Sequence, residues 1–206
     1  MRPHVVLNCA MSLDGFIGKP DKRIRLSNQM DKERVHKIRA SIDGIMVGVN
    51  TILADNPHLT VRHAKGRNPV RIVVDSMART PLKSNVFDGR AKTLVAVSNK
   101  ASSARKKKIQ DKAEVLVSGT SRVDLKRLMK LLYCKKIKTL LLEGGGTLNK
   151  SMLENNLVDE IYLTITPVLL GEGIRWINDS LGKKISLTYA GCKTLGDQIV
   201  LHYHLK

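Results

Sequence analysis

Short apolar runs alternate with segments of helical periodicity through the first three quarters of the chain, and few folds accommodate that order. The runs predict strands over residues 5–11, 42–48, 70–76, 93–98, 114–118 and 139–143. The segments between them predict helices over residues 28–41, 51–54, 102–112, 123–133 and 147–155. Strands that alternate with helices are typical of α/β domains, so we expect a three-layer fold with a mostly parallel central sheet.

The last quarter of the chain departs from this alternation. A long apolar run predicts a strand over residues 158–171, and two further runs, 186–191 and 198–205, predict a C-terminal antiparallel hairpin. The chain has 206 residues, 42% of them hydrophobic, which is enough for one substantial core. We therefore expect a single domain over residues 1–206.

The formal net charge of +18 makes nucleic-acid binding an alternative that has to be weighed. The charge is spread along the chain, and its densest run, residues 105–108, falls in a predicted surface helix. Aromatic residues make up only 3% of the chain, so few side chains could stack on bases. We expect no nucleic-acid partner, and we interpret the charge as solvated faces that also attract small anions.

The sequence also bears on the compartment. It contains no run of 18 apolar residues and no long apolar segment near residue 1, so we expect neither a membrane span nor a signal peptide. Its three cysteines, Cys9, Cys134 and Cys192, lie far apart and form no C-x-x-C pair. This predicts a reduced, cytoplasmic protein.

Three of the predicted strands end in polar residues. Asn50, Thr51 and Asp55 follow one strand, Asp75 and Ser76 follow the next, and Glu143 ends a third. Ligands of parallel α/β sheets bind outside the carboxyl ends of the strands. We therefore expect the functional site at this edge.

The stretch LLLEGGGTL joins the last of these strands to a helix. Gly144, Gly145 and Gly146 allow a sharp turn, and Thr147 is a candidate helix cap. A glycine turn before a helix N-terminus presents N–H groups to an anion such as phosphate. An ordinary tight turn would have the same glycines, but Glu143 at the strand end favours a ligand.

Arginines near these strand ends are candidate phosphate ligands. Arg39 and Arg62 carry the planar fork that suits phosphate, although a solvated arginine is the usual alternative. Ser76 and Arg79 could bind a nucleotide ribose or its 2′-phosphate, with an ordinary turn as the alternative.

Two histidines in the last predicted strand raise the question of a metal. His202 and His204 alternate with Tyr203, so they point to one face. The sequence offers no third ligand beside them and no zinc-deaminase motif, so we expect no metal site.

Four segments, in this order, resemble the riboflavin-pathway reductases across nearly the whole chain. They are SLDGFIG, VHKIRASIDGIMVGVNTILADNPHLTVR, NPVRIVVDS and LLLEGGGTLNKSMLENNLVDEIYLTITPVLLGEG. The match resembles the stand-alone form, because these 206 residues contain no motif of the zinc deaminase that is fused to some family members. The resemblance implies a dihydrofolate-reductase-like fold, an NADPH cofactor, a homodimer and a ribosylaminopyrimidine phosphate substrate. Hydride would reach C1′ of the ring-opened ribose, as an imine or its equivalent, and leave a ribitylamino chain.

The resemblance also implies roles for individual residues. The cofactor would be lined by Ala10, Thr51, Asp55 and Ser76, with Gly144, Gly145, Gly146 and Thr147 on its pyrophosphate and Arg79 on its 2′-phosphate. The substrate would be held by Arg39, Leu59, Arg62 and Glu143, with the arginines near its phosphate. Asp55 and Glu143 are the expected catalytic residues, either Asp55 or a bound water serving as proton donor. The strand YLTITPVLL would form part of the dimer interface.

Three other functions remain as alternatives. A reductase for folate or another pterin would use the same fold, although the N-T-x-L-A-D-N-P block counts against it. A basic nucleic-acid-binding protein and a nucleotide-binding protein without catalysis belong to different classes.

Overall fold

The computed structural model describes residues 1–20, 24–178 and 180–206. In these residues the strands are β1 (His4–Ser12), β2 (Phe16–Gly18), β3 (Gly44–Gly48), β4 (Val70–Val74), β5 (Thr93–Val97), β6 (Glu114–Val117), β7 (Thr139–Leu142), β8 (Glu160–Thr166), β9 (Ile174–Arg175), β10 (Leu187–Leu195) and β11 (Gln198–Leu205). The helices are α1 (Gln29–Ser41), α2 (Val49–Asp55), α3 (Ser103–Gln110), α4 (Leu125–Cys134) and α5 (Gly146–Glu154). A single 3₁₀ turn spans Asn85–Phe87 among the described residues.

Nine strands form one sheet in the order β10-β11-β8-β1-β7-β3-β4-β5-β6. The seven strands from β8 to β6 run parallel, and β11 and β10 add an antiparallel hairpin at one edge. Strands β2 and β9 form a separate antiparallel pair. The predicted mostly parallel α/β sheet with a C-terminal hairpin is confirmed.

Helices cover both faces of this sheet. On one face α4 packs its Leu125, Leu128, Met129 and Leu132 against β1, β7 and neighbouring strands, and α5 joins the same cluster. Their spacing of three and four residues places these side chains on one stripe of the helix. Helices α2 and α3 cover the other face with an aliphatic cluster that includes Ile52 and Ile109. Each fully buried side chain of this size contributes about 1.5–3 kcal/mol to folding, so the aliphatic core stabilises the three layers.

Several predicted boundaries need correction. The strand predicted over residues 158–171 ends at Thr166, because Pro167 has no N–H to continue the ladder. Thr147 is not the helix cap, since α5 begins at Gly146 with Gly145 at the capping position. The strand predicted over 70–76 ends at Val74, which leaves Asp75 and Ser76 in the following turn. Residues 16–18, for which no strand was predicted, form β2.

The described parts of the chain contain no helix that is both long enough and apolar enough to span a membrane.

Candidate functional site at the carboxyl edge of the sheet

The three polar strand ends meet at one edge of the sheet, as expected. Strand β3 lies between β7 and β4 and runs parallel to both. Beyond the last strand pair, the N–H of Glu143 donates to the Met46 carbonyl at 3.0 Å, and the N–H of Gly48 donates to the Gly144 carbonyl at 2.8 Å. These two bonds fix the glycine turn against the start of α2.

Arg39 and Glu143 form a two-pronged ion pair at this edge. Arg39 Nε lies 2.8 Å from Glu143 Oε1, and Arg39 Nη2 lies 2.6 Å from Glu143 Oε2. Only 12% and 14% of the two side chains are exposed. Burial opposes the charge of Arg39, but the carboxylate of Glu143 outweighs it and holds the pKa of Arg39 above its usual value. Arg39 therefore stays charged, and the two hydrogen bonds fix both side chains in orientation.

Helix α1 anchors the loop that carries the second predicted arginine. Arg39 Nη1 donates to the Thr60 carbonyl at 3.1 Å, and Arg62 Nη1 donates to Thr60 Oγ1 at 3.1 Å. The backbone N–H of Arg62 donates to His36 Nδ1 at 2.9 Å. Leu59 is buried at φ = 51°, so it turns the chain toward α1 without offering a polar group. Arg39 and Arg62 thus converge on Thr60.

His36 is held neutral inside this group. Burial, followed by the positive charges of Arg39, Arg62 and His63, lowers the pKa of His36 to about 4. A neutral ring keeps Nδ1 available to accept the Arg62 N–H, and this hydrogen bond positions the loop.

The glycine turn lies directly beside α2. Gly144 has φ = +89°, which glycine adopts without a steric cost, and the Gly144–Gly145 peptide is cis. A Cβ at Gly145 would lie 3.5 Å from Thr51 Oγ1, and one at Gly146 would lie 2.2 Å from the Arg175 carbonyl oxygen. Among these three glycines, only Gly146 has no room for a Cβ in the fold, and the turn of residues 144–146, here called the glycine cradle, presents bare backbone beside Thr51.

The start of α5 can meet an anion. The N–H groups of Leu148 and Asn149 donate to the Gly145 carbonyl, so an anion would be met by the N–H groups that precede them. Thr147 is exposed, and its Oγ1 accepts a hydrogen bond from Asn178 Nδ2 at 3.1 Å.

In the turn after β4, Asp75 and Ser76 accept hydrogen bonds from other parts of the fold. Asp75 is fully buried, and its Oδ2 accepts hydrogen bonds from Thr80 N and Thr80 Oγ1, both at 2.7 Å. Ser76 Oγ accepts the N–H of Val123 at 3.0 Å. Arg79 is half exposed and donates to Asn50 Oδ1 at 3.0 Å, which brings its guanidinium to the end of β3.

The structure brings most of the predicted site residues together, and Ala10 and Asp55 lie at the margin of this group. Thr51 and the three glycines form one group, and Arg39, Leu59, Arg62 and Glu143 form a second group joined to it through residue 143. Ala10 lies on β1 opposite Thr164 of β8, three residues beyond the pairing of Leu7 with Leu142. Asp55 is exposed at the far end of α2, roughly 9 Å along the helix axis from its first residue.

Cys9 and His36 belong to the site, although the sequence reasoning missed both. Burial, then the negative charges of Glu143 and Asp31, raise the pKa of Cys9 to about 12, so its thiol is neutral. His36 precedes Arg39 by three residues in α1, and that helical spacing was the available signal.

Comparisons with known proteins show which proteins this chain is similar to. Residues 3–201 match the family model described as RibD C-terminal domain. The 2,5-diamino-6-ribosylamino-4(3H)-pyrimidinone 5′-phosphate reductase of Methanothermobacter thermautotrophicus is 43% identical over 100% of both chains. The riboflavin biosynthesis reductase of Saccharomyces cerevisiae has a similar fold, with a TM-score of 0.81 at 23% identity, over 100% of this chain and 90% of that chain. A deaminase/reductase of Thermotoga maritima gives a TM-score of 0.83 at 23% identity, over 100% of this chain and 57% of that one. The expected dihydrofolate-reductase-like fold is confirmed.

Proposed function

This chain belongs to the RibD C-terminal domain family and is a reductase of riboflavin biosynthesis, and we propose that it reduces 2,5-diamino-6-ribosylamino-4(3H)-pyrimidinone 5′-phosphate with NADPH. Hydride would be transferred to C1′ of the ring-opened ribose, in its imine form, to give the ribitylamino product. We further propose a homodimer that works in the cytoplasm, without a nucleic-acid partner. The observation that carries the substrate proposal is the fixed Arg39–Glu143 pair beside the glycine cradle.

Glu143 is suited to the amino groups of the pyrimidine. Its two oxygens each accept one hydrogen bond from Arg39, and a carboxylate oxygen has a further lone pair to accept an N–H. The two hydrogen bonds from Arg39 hold the carboxylate in one orientation. Arg62 lies on the more exposed side of Thr60 and would meet the substrate phosphate as the planar partner that phosphate prefers.

The glycine cradle fits a dinucleotide cofactor. Because residues 144–146 have no side chains of their own, a pyrophosphate could approach the backbone at the start of α5. Thr51 Oγ1 lies beside Gly145 and could donate a hydrogen bond to it. Arg79 would meet the 2′-phosphate and Ser76 the ribose, while Ala10 would line the nicotinamide side. The bound nicotinamide supplies the hydride, and the protein supplies position and electrostatics.

The catalytic contribution of the chain is mainly geometric. Both ligands have to be held with their reacting carbons roughly 3–3.5 Å apart, and a site at one sheet edge with two anion-binding ends achieves this. Asp55 lies at the exposed end of α2, so we propose that it acts, as proton donor or through a bound water, on the solvent side of the nicotinamide.

A direct assay tests this proposal. The purified protein is mixed with NADPH and the ribosylaminopyrimidine phosphate, and the absorbance of the reduced nicotinamide is followed. We expect loss of absorbance only when protein and substrate are both present. If NADPH binds but is not consumed, the substrate is wrong; if it does not bind, the cofactor site is wrong as well.

A further inference from the structure

A second cluster of ionisable side chains lies at the opposite ends of the strands from the candidate site, where β1 and β8 begin and β11 ends. In the strand register His204 lies opposite Glu160, and His202 lies opposite Tyr162. Paired residues of adjacent strands share a face, so both histidines and Glu160 point to the same side of the sheet. Glu160 also lies opposite Val6 of β1, two residues after His4, which adds a third histidine to that side.

The side chains of this cluster are already in contact. Glu160 Oε1 lies 2.8 Å from His4 Nε2, and Glu160 Oε2 lies 2.9 Å from His202 Nε2. The rings of His202 and His204 have centroids 4.8 Å apart. One possible ligand atom from each of Glu160, His202 and His204 lies within 4.8 Å of the other two.

We propose that Glu160, His202 and His204 bind a divalent late transition-metal ion, with Zn²⁺ as the representative case. Two imidazoles and one carboxylate are a donor set that zinc accepts, whereas magnesium and calcium prefer oxygen donors. The sequence lacked a visible third ligand because Glu160 is 42 residues before His202 in the chain, and strand pairing brings them together.

The geometry needs only a small adjustment for a metal. Zinc bonds of about 2.0–2.2 Å put neighbouring donor atoms about 3.4 Å apart in a tetrahedron. The Glu160–His202 pair is already closer than this, and His204, which is exposed, can move inward by a side-chain rotation. The metal would replace the proton that now bridges Glu160 and His202.

Two neighbours preorganise the site. The ring of Tyr162 stacks on His202 with centroids 4.1 Å apart and an interplanar angle of 9°, which fixes the imidazole. His4 donates to Glu160 from the side opposite His202, as an outer partner that orients a ligating carboxylate. The exposed side of His204 leaves the fourth position to water.

This metal would be structural and not catalytic. Thr164, which lies opposite Ala10, is four residues along β8 from Glu160, so the cluster is roughly 13 Å from the reductase edge. The ion would join β8 to the last strand, β11, with β1 held through His4. It should therefore stabilise the folded chain without taking part in hydride transfer.

The test titrates Zn²⁺ alone into tag-free, chelator-treated full-length protein by calorimetry. We expect one saturable site per chain, and we expect H204Q to weaken it by at least about 10- to 100-fold, since the loss of even an outer partner has that effect. His204 is exposed, so this substitution should not disturb folding. The matched control is H63Q, which removes another exposed histidine and should bind zinc as the wild type does.

Thermal unfolding gives an independent readout. At free Zn²⁺ about 100 times the dissociation constant, the wild type should gain about 5–10 °C in Tm, and H204Q should gain little. Co²⁺ substitution should give the visible absorption bands of a low-coordinate site in the wild type and not in H204Q. The proposal is overturned if zinc shows no saturable binding, or if H204Q and H63Q bind it equally well.

Discussion

At the scale of single residues, the Arg39–Glu143 pair fixes two polar side chains in one orientation at the candidate site. The two residues lie 104 positions apart in the chain, and each is a separate candidate ligand in the sequence. In the folded chain each neutralises the other, so neither can be removed without leaving a charge in a poorly hydrated place. The pair should therefore contribute to stability as well as to the proposed substrate binding.

The variant E143Q separates these contributions. It keeps the shape of the side chain and leaves Arg39 without a counter-charge, so the free energy of unfolding should fall by up to about 3–5 kcal/mol. The reductase activity should fall too, because a neutral amide orients the pyrimidine poorly. Urea unfolding and the NADPH assay measure the two effects.

The control for this prediction is E172Q. Glu172 is 86% exposed and lies 3.5 Å from Lys19, and such surface pairs contribute less than about 1 kcal/mol. Equal destabilisation by E143Q and E172Q would show that the buried pair has no special weight.

Arg79 should give the enzyme its preference for NADPH over NADH. The variant R79A removes a half-exposed guanidinium from the end of β3, so the KM for NADPH should rise by about 10-fold, the value of one charged hydrogen bond. The KM for NADH, which has no 2′-phosphate, should change little. Steady-state kinetics with both cofactors make the comparison.

Arg67 provides the matched control for Arg79, because its side chain is 76% exposed and pairs only with Asp43 among the described residues. We expect R67A to leave both KM values unchanged. An equal rise in both values for R79A would assign this arginine to general binding and remove its role in cofactor choice.

At the scale of elements, the β7–α5 junction depends on Gly146. A Cβ there would lie 2.2 Å from the Arg175 carbonyl oxygen, so G146A has to displace backbone on one side or the other. We expect the free energy of unfolding to fall by about 1–3 kcal/mol and the KM for NADPH to rise. Urea unfolding and cofactor titration test both effects, with G18A as control, since a Cβ at Gly18 meets no atom within 4 Å.

The stability of the folded chain should depend on pH through His36, which lies in helix α1. The folded chain keeps this ring neutral with a pKa of about 4, whereas an unfolded histidine takes up a proton near pH 6.5. The unfolded state therefore binds more protons between these values, and stability is lost as the pH falls from about 6.5 toward 4.

The variant H36N tests this linkage, because an asparagine oxygen can still accept the N–H of Arg62 while the titrating ring is gone. Urea midpoints at pH 7.5 and pH 5 should differ less for H36N than for the wild type. If the midpoint changes by the same amount between pH 7.5 and pH 5 in both proteins, His36 does not control acid stability.

The elements also show how far sequence reasoning reaches. Strands such as β3 and helices such as α4 were predictable because each carries its own apolar pattern, and parallel topology then placed Thr51 and Glu143 at one edge. Strands β2 and β9 are three and two residues long, too short to show a period, and they exist only because the fold brings them together. The Arg39–Glu143 pair and the Glu160–histidine cluster share this cause: their partners meet only in the folded chain.

At the scale of the whole molecule, the proposed homodimer needs an apolar surface, and the structure limits where it can lie. Most of the strand predicted to form the interface is internal, since β8 lies between β1 and β11 and buries Ile161 and Leu163. Its exposed apolar part follows the strand, at Val168 and Leu169, which are 39% and 71% exposed. The interface expected from the long apolar run is therefore narrowed to these two residues and their surroundings.

Sedimentation analysis checks both the dimer and this location. The wild type should sediment with twice the 22.9 kDa mass of one chain, and the double variant V168S/L169S should shift toward the monomer because serine removes the apolar area that drives association. Val117 is a matched control, since it is also 39% exposed but lies on β6, the edge strand farthest from the hairpin. If V117S and V168S/L169S dissociate equally, the contact lies elsewhere; if the wild type itself has the mass of one chain, the active unit is the monomer and the site is complete within it.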